Sequence, residues 1–214
     1  MDYSESKLPP TYDVAENELP YQIKLALWQT AFGLQKVDGL SPSEYMVELA
    51  NENIEGKKGY DAIYREISDY HLKEHVDANT VEADIVSLRI AELLAEDHFL
   101  LSPSTLLGIH RHLFTDVFPE EIPVGKFRTV NITKNEPVLN GETVAVFGIQ
   151  YLRKLGFHID NSLFSEHAAY FRNALVFYHH HGEKQDKQFL KMFFENLLLG
   201  KKNVLLDEDM YAKE

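Results

Sequence analysis

The chain has 214 residues, 44% hydrophobic and 26% charged, which is ordinary for a globular protein and enough to bury one proper core. Its formal charge of -13 opposes binding to a phosphate backbone, where affinity comes from Lys and Arg displacing counterions, so no nucleic-acid partner is expected. No cysteine is present, which excludes disulfides and thiolate ligands; no apolar run reaches bilayer length and the start, MDYSESKLPP, lacks a signal-type apolar stretch, so a cytoplasmic protein without a membrane partner is expected.

In chain order, residues 1–19 carry Pro9, Pro10 and mixed charge with little periodicity and read as a loose arm. From Pro20 the period is helical, with Ile23, Leu27, Trp28, Ala31 and Leu34 on one stripe and Gly39 just past the end. Ser41-Pro42-Ser43-Glu44 opens a second helix with Ser41 as its cap, running to about Asn53, and a third follows near Tyr60–Leu72. Val81, Ile85, Leu88, Ile90, Leu93 and Leu94 then recur at helical spacing over 80–96. Ser102-Pro103 starts the next helix, which carries Leu106, Ile109, His110, Leu113 and Phe114. After Gly125 the period changes to two, and Asn140-Gly141 punctuates a short β-hairpin. Helices resume at about 144–155, 162–180 and 184–199, stopped by Gly156, Gly182 and Gly200. The fold class is mainly α, with one β-hairpin.

The histidines give no metal site. His71 and His75 lie four apart and share a helical face, but zinc wants a third ligand that no spacing supplies. His110 and His112 lie two apart on a helix and cannot converge on one ion. His179-His180-His181 sits at a helix end, where the dipole favours basic groups.

Residues 110–144, HRHLFTDVFPEEIPVGKFRTVNITKNEPVLNGETV, resemble the first half of a Fic domain, whose members transfer AMP from ATP to protein hydroxyls. The segment Glu82–Leu94 is similar to the helix preceding that half, and Tyr151–Gly200 resemble the closing helices of the cell-filamentation-type subgroup. Gln35–Ile63 resemble the small antitoxin module that partners or is fused to some Fic enzymes. The resemblance implies a Fic-like helical bundle divided into an arm (1–19), an antitoxin-like helical module (20–75), a Fic-like domain (76–202) and a tail (203–214). It also assigns Thr133, Lys134, Asn135, Glu136 and Pro137 to a flap that docks an extended segment of a target protein by strand addition. Asp38 and Gly39 fall where the antitoxin module carries its inhibitory Glu-Gly; here Leu34 replaces the hydroxyl residue and Asp38 the Glu.

The residues that would do the chemistry are missing. AMP transfer needs a base, backbone N–H groups cradling phosphates, an acid-held Mg²⁺ and an Arg clamp, which the family supplies from a loop reading HPFxxGNxR. Val144 instead runs straight into Ala145-Val146-Phe147, the family's closing helix; no His precedes a Pro and no Gly precedes an Asn anywhere in the chain. No catalytic residue is therefore assigned, and no cofactor is expected, although ATP and Mg²⁺ serve intact members. The expected function is a degenerate Fic-domain protein inactive in AMP transfer; the alternatives are a shortened version of an active enzyme, or a protein-binding regulatory scaffold using the flap. Loss of central helices predicts bare apolar faces on 106–114 and 170–176 and a tendency to self-associate.

Overall fold

A computed structural model describes residues 18–119, 122–126, 141–159, 162–180 and 187–211, and these are mainly helical with no strand among them. The expected hairpin and its flap, Thr133–Pro137, lie outside the described residues. No helix among the described residues is long and apolar enough to cross a membrane.

Helix α1 (Tyr21–Gln35) is the axis of the bundle. The Pro20 carbonyl accepts the N–H groups of Ile23 and Lys24, so the proline starts the helix while lacking only a donor that would be idle there. Leu27, Trp28, Ala31 and Leu34 point inward as the spacing predicts. Ile23 does not: it lies at the edge of the stripe and is 45% exposed, while Lys24 takes the inward position. Its ammonium is satisfied there by the Asn53 carbonyl at 3.1 Å and the Glu18 carboxylate at 2.8 Å. Trp28 Nε1 donates to Asn53 Oδ1 at 2.9 Å, so one asparagine ties α1 to α2 (Glu44–Ile54).

The cap of α2 is Ser43, not Ser41. The Ser43 hydroxyl accepts from Met46 N–H at 3.0 Å and itself donates to Asp84 Oδ2 at 2.7 Å, while Ser43 N–H donates to Asp84 Oδ1 at 2.7 Å. A buried carboxylate from a distant helix thus decides which of two serines caps, a contact invisible to local spacing. Helix α3 (Tyr60–Glu74) ends with His75 in the left-handed conformation, φ 50°, so His71 and His75 do not share a helical face. His71 Nε2 lies 2.9 Å from Asp84 Oδ2.

Asp84 belongs to α4 (Ala78–Ala95), which Asp77 caps by accepting from the N–H groups of Asn79 and Thr80. The hydrogen bonds from Thr80 hold the Asp77 carboxyl below its usual range. Helix α4 packs along α1 and also against α3 and α5 (Pro103–Phe114). As expected, Ser102 caps α5 with Pro103 in its first turn. His110 Nδ1 accepts the Gly125 N–H at 3.0 Å, which makes it a structural tie between α5 and the following segment.

Helix α6 (Gly141–Lys154) runs unbroken through the Val144–Ala145 junction, and Ala145, Val146 and Ile149 are fully buried against α4 and α5. The single helix expected over 162–180 is two, α7 (Ser162–Glu166) and α8 (Ala168–His180). The break lets α7 lie across α1 while α8 packs on α9 (Gln188–Leu199). At the α1–α7 crossing a Cβ on Gly33 would come within 2.6 Å of Ser165 Cα and 2.8 Å of its carbonyl oxygen. Only a glycine lets the two backbones meet so closely. Phe164, Phe171 and Phe193 form an aromatic knot there, with centroids 4.9–5.2 Å apart.

The apolar faces expected to be bare are covered. Ile109, Leu113 and Phe114 are buried under α4 and α6, and Tyr170, Phe171 and Ala174 under their neighbouring helices. The segment expected to be only a tail also packs: α10 (Glu208–Tyr211) buries Met210, and Asn173 Nδ2 donates to Asp207 at 3.1 Å.

Candidate functional site

The end of α1 places Asp38. After Gln35 the chain tightens into a 3-10 turn, Lys36–Asp38, and Gly39 closes it at φ 73°, donating its N–H to the Lys36 carbonyl at 3.1 Å. That left-handed conformation is one that glycine adopts without strain. Leu40 N–H also returns to the Gln35 carbonyl at 3.1 Å, so the turn is held twice. Asp38 Oδ1 consequently lies 3.6 Å from Arg172 Nη2, on the first turns of α8.

Around this pair is a small cleft. Leu34 and Phe171 form its apolar floor, and Gly141 and Glu142, at the start of α6, form one wall beside Arg172. Glu142 is buried in the first turn of its helix, where the dipole favours a carboxylate. Glu82 adds a third acid nearby: its carboxyl is raised above the usual range, first by burial and then by the charge of Asp38. The free volume is about 10 Å³, room for at most about one water molecule. A nucleotide does not fit this cleft as it stands.

The pair is a clamp rather than a catalytic couple. Its partners' side chains are 37% (Asp38) and 34% (Arg172) exposed, so solvent screens them and the contact stabilises by only about 0–1 kcal/mol. We expect Asp38→Asn to leave the unfolding free energy within about 1 kcal/mol of the parent's. The same change removes one cause of the Glu82 shift, so its titration should move down toward the ordinary carboxylate range while burial keeps it raised. A carboxyl NMR titration reads this directly; an unmoved Glu82 would show that Asp38 does not act on it.

A second constellation contains Ser, Asp and His and is not a nucleophilic triad. Asp84, fully buried, sits in the middle and accepts from Ser43 twice, with His71 against the same carboxylate. A catalytic arrangement needs the base against the nucleophile, with the acid behind the base. Here the acid joins three helices.

Among the described residues no group of three or more His, Asp or Glu side chains is placed to hold a metal ion. Of the residues singled out in the sequence, Asp38 lines the cleft and Gly39 closes the turn that carries it, whereas Thr133, Lys134, Asn135, Glu136 and Pro137 lie outside the described residues. Sequence reasoning missed Arg172 and Asp84. Arg172 is far along the chain and carries no short-range signal. Asp84 did carry one, an acid within the apolar run Val81–Leu94. Comparison with models of protein families, with curated proteins and with solved structures gives no match.

Proposed function

We propose that the protein is a degenerate Fic-like scaffold that does not transfer AMP and that engages a protein partner through the flap Thr133–Pro137. The observation that carries this reading is α6, continuous and packed across Val144–Ala145, where the resembled family would insert its phosphate-holding loop. With Ala145 and Val146 fully buried, the bundle closes over that point without the loop. Asp38 gives secondary support. The resemblance would set the acid at this place against an arginine of the catalytic loop; Asp38 meets Arg172 of α8 instead. The clamp here therefore joins scaffold to scaffold instead of guarding a nucleotide.

Calorimetry of the full chain with ATP and Mg²⁺ tests the first half of the reading, and no saturable heat is expected. A saturable isotherm, or radiolabel passing from α-labelled ATP to any protein in a lysate, would overturn it and favour a working transferase. The flap half is tested by exchanging Lys134–Pro137 for Gly/Ser, which should release a captured partner; retention of every partner would remove the flap from the proposal.

A further inference from the structure

At 3.6 Å, Asp38 Oδ1 and Arg172 Nη2 attract each other as charges but lie beyond hydrogen-bond reach. Polar groups at such a spacing are routinely completed by a shared water. The stem of Arg172 passes along Gly141, where an added Cβ would lie 3.9 Å from Arg172 Cγ. That course brings the guanidinium beside the start of α6 and into the lining of the cleft.

Size and depth of the cleft fit one small occupant. Leu34, Glu142, Ala168 and Phe171 of its lining are each no more than 5% exposed, so it has a built floor. Its free volume of about 10 Å³ is about the least that holds a single water molecule. Three charged side chains line it, Asp38, Glu142 and Arg172, and their chemistry discriminates among occupants. Two carboxyl groups oppose chloride or any other anion, and the guanidinium opposes a metal ion or ammonium. Water suits all three. Its two O–H groups donate to the carboxyl oxygens, and its oxygen accepts from an Arg172 N–H. A carboxylate has about four acceptor sites, so this bond can be added to the other contacts of Glu142.

We propose that the cleft binds one ordered water molecule, which donates to Asp38 and Glu142 and accepts from Arg172. The water joins the turn after α1 to the start of α6 and to α8, and it completes the Asp38–Arg172 clamp. The site rests on the geometry of the cleft alone and stands whether or not the protein transfers AMP.

Asp38→Glu tests it, because the added methylene carries the carboxylate to Arg172 and takes the place of the water. In high-resolution crystal structures of the full chain, the parent should show a water within hydrogen-bond distance of Asp38, Glu142 and Arg172. The Asp38→Glu variant should show a direct carboxylate–guanidinium bond with that water gone. In solution, oxygen-17 relaxation dispersion should count one long-lived water fewer in the variant, and a thermal melt of each chain confirms folding. The proposal is overturned if the parent's cleft is dry, if an ion fills it, or if its water touches fewer than all three side chains. It is equally overturned if the water persists beside a direct bond in Asp38→Glu, or if the solution count is the same for both chains.

Discussion

Replacing Asp84 by Ala should lower the unfolding free energy by about 3–5 kcal/mol, the loss seen when one partner of a buried charged network is removed. Most single domains have only about 5–15 kcal/mol in total, so the variant is expected to be partly unfolded at physiological temperature. Three elements meet at this carboxylate. It receives the N–H and the hydroxyl of Ser43, which caps α2, and it faces His71 of α3 from within α4. In the Asp84→Ala variant the Ser43 N–H and the imidazole would be left facing apolar surroundings, and that desolvation is the larger part of the cost. Asp84→Asn preserves volume and one acceptor oxygen and should lose less than Asp84→Ala. Urea denaturation of the three proteins gives the order; an Asp84→Ala midpoint matching the parent's would show that the helices do not depend on this junction.

The second large effect is expected from a single methyl group. Gly33→Ala improves helix propensity by about 0.5–1 kcal/mol in an open helix. In α1 the added carbon would meet backbone atoms of Ser165 at 2.6 and 2.8 Å, and backbone cannot swing aside as a flexible side chain does. Forcing α1 and α7 apart disturbs the packing of Phe164 behind Ser165, and overpacking of this kind costs about 1–3 kcal/mol, sometimes more. A net loss of about 1–2 kcal/mol corresponds to a fall in Tm of roughly 2–8 °C for a chain of this length. Gly108→Ala is the control, because nothing lies within 4 Å of a Cβ built there, and it should raise Tm slightly. If both substitutions move Tm in the same direction, the close crossing is not what holds Gly33.

These two sites also mark how far the sequence could be read. Helices with a local signal were legible: Ser102-Pro103 capped α5 as expected, and the Leu27–Leu34 stripe faced inward. Decisions made by tertiary contact were not. The choice of Ser43 over Ser41 depends on a carboxylate 41 positions away. The break at His167 has no glycine or proline to announce it, since it serves the crossing at Gly33 and the packing on α9. An isolated glycine inside an apolar helix hints at a close approach, but it does not name the partner. The site divides in the same way. Asp38 and Gly39 were visible as a motif, while Arg172 emerges only when helices distant in sequence are brought together.

The continuity of α6 sets a direction for change. Every residue inserted into a helix turns the downstream part by about 100° and shifts it by about 1.5 Å, so a loop added after Val144 would have to break the helix beside the fully buried Ala145 and Val146. Ala145, Val146 and Ile149 would leave their seats before the newcomer had acquired any of its own. Small insertions are thus blocked by the core itself. A lineage holding this arrangement would meet resistance from packing to any such insertion, whatever chemistry it brought.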